Sequence, residues 1–245
     1  MTATLDRTAS TIPSTTVPPS SSTAAEAGTR FRRRAAAATF FGAAAISMAG
    51  IVATPFEGKA GEAVYLKSLM DHPKQAMVAA TLLHFGYLLF VPVAFVMARL
   101  ARRGAKKLSY AGISLAVLGS GLSGLLFTDI YDLSIARHVG TTAGAPISEM
   151  QGVPYAGLAV VAIALLSSLG LTLGLTLLAA AMRRARLAPV WPAIGVFVGF
   201  LTAFGAHTML RSVIGFGLML ASVGYLGIKV LRMSDERFAY GSDPR

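Results

Sequence analysis

Six stretches of this chain, residues 35–54, 77–98, 108–128, 155–182, 188–206 and 212–228, contain no Asp, Glu, Lys or Arg, and this pattern constrains the fold more than any other feature. Crossing roughly 30 Å of hydrocarbon takes a helix of about 20 apolar residues at 1.5 Å rise each, and the six stretches meet or approach that length. Their apolarity is unbroken, without the alternation a membrane β-barrel requires, and they are rich in the Ala, Gly and Leu that suit membrane helices. The expected fold is therefore all-α, a polytopic transmembrane helix bundle of six spans.

Orientation follows from the basic residues, because positive connections stay on the cytoplasmic side during insertion. With both termini cytoplasmic, seventeen of the 22 Lys and Arg residues fall inside, in clusters such as Arg30 to Arg34, Arg102 to Lys107 and Arg183 to Arg186. Five fall outside: Lys59, Lys67, Lys74, Arg137 and Arg211. The same division gives about +12 of formal charge inside and −1 outside, so the overall net charge of +11 is mostly an orientation signal. Attraction to anionic lipid of the inner leaflet accompanies it, and no nucleic-acid partner is expected.

Residues 1–34 read as a cytoplasmic tail, rich in Ser, Thr and Pro, too poor in large apolar side chains to order itself and ending in the arginine cluster. Residues 35–230 form the six-helix transmembrane domain, and 231–245 a short cytoplasmic tail. A secretory or twin-arginine signal is the competing reading of the first apolar run. Its length and the lack of a clean small-x-small cleavage site favour an uncleaved span, whereas cleavage would leave five spans. The prevalence of Ala, Gly, Leu and Arg behind a Ser/Thr/Pro lead resembles multi-span proteins of bacteria with GC-rich genomes. The expected location is the bacterial plasma membrane.

Lipid tails are as apolar as Leu, so spans must associate through close backbone approach and hydrogen bonds between helices. Ser120 and Gly124, Gly170 and Gly174, and Gly195 and Gly199 are each four residues apart and share a helix face. Packing within one chain is the preferred use of these faces, while a homo-oligomer or a membrane-protein partner stays open beside the lipid bilayer itself. Pro92 and Pro192 fall inside spans and are expected to bend them. Trp191, Tyr110 and Tyr225 sit near inner span ends, and Tyr131 and Tyr155 near outer ones, as interface anchors.

With no cysteine in the chain, disulfides, thiolate metal sites and thiol redox chemistry are excluded. No cofactor and no metal site is expected. Axial haem ligation would fall to His84 and His207, whose depths differ by about 10 Å. A metal hydrolase would need its ligands to converge from separate loops, and no Gly-x-Ser-x-Gly elbow is present.

Ionisable groups in or beside spans are the default functional candidates, and they gather in the outer half. The candidate outward polar cluster comprises His84, Asp129, Asp132, His138, His207 and Arg211. Asp129 and Asp132 would share a helix face if the third span continued past Thr128, placing two carboxylates where a cation, a proton or Arg211 could meet them. Asp-x-x-Asp is a short signal, and a solvated helix end with a loose ion pair is its ordinary reading. His84 lies clearly inside a span and needs a partner, for which Ser120, Ser123 and Thr202 are available; a hydrogen bond between helices is its ordinary role. The functional expectation is small-molecule binding or transport through an outward-facing polar pocket. The alternatives are a membrane-embedded enzyme acting on a lipid or apolar metabolite, or a structural subunit of a membrane complex.

Overall fold

The computed structural model describes residues 20–55, 62–122, 156–203 and 208–241. Every ordered element among them is a helix: α1 (Ser20–Ala53), α2 (Glu62–Asp71), α3 (Pro73–Leu88), α4 (Phe90–Ala101), α5 (Lys106–Leu122), α6 (Ala156–Arg184), α7 (Trp191–Ala203), α8 (Met209–Leu231) and α9 (Asp235–Tyr240). Four stretches are long and apolar enough to cross a membrane: Glu26–Ala53 in α1, the continuous rod Pro73–Ala101 made of α3 and α4, Leu165–Arg184 in α6, and α8. The surface carries the same message. Phe85, Phe95, Leu166, Ile194, Leu201 and Ile214 are more than half exposed, on the rods that in water would have to turn polar residues outward.

The rods are arranged as a ring. α1 packs on α3 and α4 on one side and on α8 on the other; α8 packs on α7, α7 on α6, α6 on α5, and α5 on α4. A further contact between α4 and α6 crosses the ring. Buried Phe40, Phe90, Met97, Leu175, Leu178 and Leu226 fill the space between the rods.

Small residues decide how closely the rods approach. At the α5–α6 seam a Cβ on Gly119 would lie 2.6 Å from the Ser167 carbonyl oxygen and 2.7 Å from the Gly170 carbonyl carbon. Ser167 Oγ uses that proximity to donate a hydrogen bond to the Gly119 oxygen at 2.7 Å. Gly174 presses in the same way on Ala116, so the Gly170/Gly174 face found in the sequence is turned onto α5. Gly199 meets Gly215 and Met219 of α8, and Gly195 meets Ser222. Gly124 lies outside the described residues.

The two prolines behave differently. Pro92 has no N–H to give the Leu88 carbonyl, and the α3–α4 rod loosens at Leu89 without ending: Leu89 N–H still reaches the Phe85 oxygen at 3.1 Å, and Val93 N–H reaches the Leu89 oxygen at a stretched 3.4 Å. Pro192, expected inside a span, instead occupies the first turn of α7, where a missing N–H leaves no carbonyl unserved.

Three segments read as tail or loop are helical. α1 begins at Ser20, within the segment expected to be a disordered tail, and Ala24, Glu26 and Ala27 are strong helix formers there. α2 occupies the connection before the second span, where Ser68 Oγ donates to the Pro55 carbonyl and Lys67 and Asp71 pair across one turn at 2.7 Å. The short tail after residue 231 folds into α9. Ser234 caps it by accepting from the Arg237 N–H at 3.3 Å, and Asp235 and Glu236 stand at its positive end.

Candidate functional site

α3 sets the position of His84 through its seam with α1. Leu83 fills the space opposite Gly50, Gly86 lies against Ser47, and Leu89 approaches Gly42. Ala80, Leu83 and Tyr87 of α3 are buried, whereas Thr81, Phe85 and Leu88 are exposed. His84 sits on the border between these two faces and is half-buried. Its ring lies edge-on to Phe85, with centroids 5.7 Å apart. Its Nδ1 is shut off from the surface and has no hydrogen-bond partner among the described residues. The expected partner Thr202 instead donates to the Val198 oxygen of its own helix at 2.9 Å, and Ser123 lies outside the described residues.

A second orphaned polar atom lies nearby in depth, and sequence reasoning missed it. Ser47 is completely buried in α1, and its Oγ also has no hydrogen-bond partner among the described residues. A serine in a membrane helix ordinarily bonds back to the carbonyl four residues earlier, as Ser109 and Ser222 do at 3.0 and 2.8 Å. Because Ser47 lies against Gly86, two positions along α3 from His84, the two orphaned atoms differ in depth by only about 3 Å. The available signal was a hydroxyl in an otherwise apolar span, which is weak in a chain with many serines.

Arg211 stands in the first turn of α8 and is exposed. Its Nε donates to the Thr202 carbonyl at 2.9 Å, which ties the end of α7 to the start of α8. The terminal amines of that guanidinium carry no partner among the described residues. α1 serves as a ruler for depth, since Gly86 meets Ser47 and Gly227 meets Phe40. On that ruler Arg211 lies about 10 Å beyond His84 toward the end opposite the arginine clusters, with α1 standing between their helices. The described residues thus do not bring His84 and Arg211 together. Asp129, Asp132, His138 and His207 all fall outside the described residues, and among the described residues no three His, Asp or Glu side chains are grouped to hold a metal ion.

At the opposite end a denser polar assembly holds α9 in place. Arg33 lies 3.2 Å and Arg30 3.8 Å from the Asp235 carboxylate, and Arg33 also donates to the Met233 carbonyl. Phe238 is buried beneath Arg99, whose guanidinium stands 5.7 Å from the ring centre and donates to the Ala239 oxygen at 3.2 Å. Arg237 donates to the Arg186 oxygen at 3.3 Å. Trp191 and Tyr225 pack at a tilt of 54° with centroids 4.7 Å apart, and Lys229 lies over the Tyr225 ring. Four of the arginines assigned to orientation thus also fasten the C-terminal helix.

The chain matches no known family model, no curated protein and no solved structure. Its function must be read from its own residues.

Proposed function

We propose that this chain is a six-span, multi-pass protein of the bacterial plasma membrane, with both termini in the cytoplasm, whose outer half binds a small molecule or passes it across the bilayer. α5 and α7, at 17 and 13 residues, complete the six spans by borrowing from their flanks. The observation that carries the functional reading is the Nδ1 of His84, which is buried and has no partner among the described residues. A buried polar atom without a partner destabilises a fold by about 1–3 kcal/mol, a cost that a ligand, a proton or a water reaching His84 would offset. Ser47 Oγ, orphaned at nearly the same depth, adds a second polar group with the same need. Arg211, whose terminal amines have no partner among the described residues, supplies a charge at the outer end that would draw an anionic group or pair with Asp129 or Asp132.

His84 also stands at the lipid-facing border beside exposed Phe85, and this favours a second reading: a membrane-embedded enzyme whose lipid or apolar substrate arrives from the bilayer. There Asp129 or Asp132 would act as acid or base, assisted by His84 or His138. Both readings are tested by complementing a deletion strain with alanine at His84, Asp129, Asp132 and Arg211. Loss of complementation with normal protein levels is expected, and full complementation by all four would remove the outer cluster from consideration. Consumption of a lipid extract by purified protein would select the enzyme; a stoichiometric membrane protein in the purified material would select a structural subunit.

A further inference from the structure

We infer that the two basic turns at the cytoplasmic end, one between α4 and α5 and one closing α6, form a single docking patch for the headgroups of anionic phospholipid. The inference rests on the membrane orientation above and is independent of the outer cluster. The first turn carries Arg102 and Arg103 and leads into Lys106 and Lys107; the second carries Arg183 and Arg184. All six side chains are exposed. α4 packs on both α5 and α6, and a Cβ on Gly104 would lie 2.7 Å from the Ala185 Cα, so the two turns touch backbone to backbone.

What separates this patch from the rest of the basic end is that its six cations gather at two turns in backbone contact. Arg32, Arg34 and Arg232 also have no ion-pair partner among the described residues, but they stand on α1 and at the end of α8, while much of the remainder is paired. Arg30 and Arg33 have Asp235, Arg99 has the Ala239 carbonyl and the Phe238 ring, and Arg237 has the Arg186 carbonyl. Among the described residues no carboxylate lies within ion-pair distance of the six. Like charges gathered on touching turns repel one another, and a phosphate between them relieves the repulsion while accepting the paired N–H groups of an arginine fork.

Arg186 strengthens the case. α6 ends with Leu187 N–H reaching back to the Met182 oxygen at 2.9 Å, a closure that puts Arg186 in the left-handed region at φ 58°, where glycine is the unstrained choice. An arginine held there at a backbone cost is consistent with a use for its charge.

A lipid is favoured over a soluble polyanion because the patch sits where the apolar helices begin. Phe95 on α4 and Tyr110 on α5 are about half exposed just outward of the cations. A headgroup phosphate bound by the arginines would lay its acyl chains along these side chains, and a soluble anion would leave them uncovered.

The test is native mass spectrometry of the full-length protein in neutral detergent, titrated with phosphatidylglycerol, phosphatidylcholine or inorganic phosphate. Phosphatidylglycerol should be retained about tenfold over phosphatidylcholine, and the variant R102Q/R103Q/R183Q/R184Q should lose that preference. The variant R32Q/R34Q/K229Q/R232Q, with the same change in charge, should keep it. Should the first variant fail to fold, Arg183→Gln with Arg184→Gln is read in its place, with a loss of about fivefold. Equal loss in the control variant, an undiminished preference in the patch variant, or displacement of the lipid by millimolar inorganic phosphate would each overturn the assignment.

Discussion

Gly119 gives the sharpest test of how this bundle holds together. A Cβ there would sit 2.6 Å from the Ser167 oxygen and also inside contact distance of the Leu171 nitrogen, both of them backbone atoms that cannot rotate away. Restoring an ordinary separation of about 3.5 Å means that α5 and α6 must part by roughly 1 Å. The Ser167 Oγ to Gly119 oxygen bond, now 2.7 Å, would then stretch beyond hydrogen-bonding range. Losing it removes about 0.6 kcal/mol, up to 1.7 at most, and the overpacking adds about 1–3 kcal/mol. The better helix propensity of alanine returns about 0.5–1 kcal/mol, which leaves Gly119→Ala destabilised by about 1–4 kcal/mol. Gly121, two residues on, has nothing within 4 Å of its added Cβ among the described residues, so Gly121→Ala receives only the propensity gain. Reversible unfolding of both variants in mixed micelles measures the difference. Equal stability of the two would refute a seam set by backbone contact.

Further outcomes follow from the same geometry. Asp235→Asn should expose Arg232 and Arg237 to trypsin several-fold faster, because the neutral side chain no longer holds Arg33 and Arg30; an unchanged cleavage rate would mean that the ion pairs do not fasten α9. Phe238→Ala should undock the same helix by removing about 1.5–3 kcal/mol of burial, seen in the same digest while the melting of the bundle stays nearly constant. Arg186→Gly should stabilise the bundle by about 1 kcal/mol through relief of the left-handed backbone while weakening retention of phosphatidylglycerol, and a loss of stability would show that the arginine side chain is needed for packing.

Sequence alone made the long rods legible because apolar length is a one-dimensional property. Pro73–Ala101, Leu165–Arg184 and α8 each cover most of a stretch that was visible as uncharged. The Gly170/Gly174 and Gly195/Gly199 faces were legible for a related reason, since four-residue spacing fixes a helix face whatever lies opposite. α2 and α9 were not, because each is short, carries charge and is held by partners remote in sequence. Nothing near Asp235 indicates that Arg33 will meet it, and the arginine cluster had a sufficient explanation in orientation. In the candidate site, His84 was legible as an ionisable group inside a span, but its border position beside Phe85 depends on how α3 is rotated against α1. Ser47 was indistinguishable from any packing serine until Gly86 was found against it.

The central claim is that these rods thread the bilayer with their arginine-rich ends in the cytoplasm. A chain without native cysteine permits a direct test. Single cysteines at Asp71, at the end of α2, and at Arg103, in the turn after α4, are labelled in intact cells with a membrane-impermeant maleimide. The account predicts that Asp71→Cys reacts from outside and Arg103→Cys reacts only after lysis. Labelling of Arg103→Cys in intact cells with Asp71→Cys protected would contradict it.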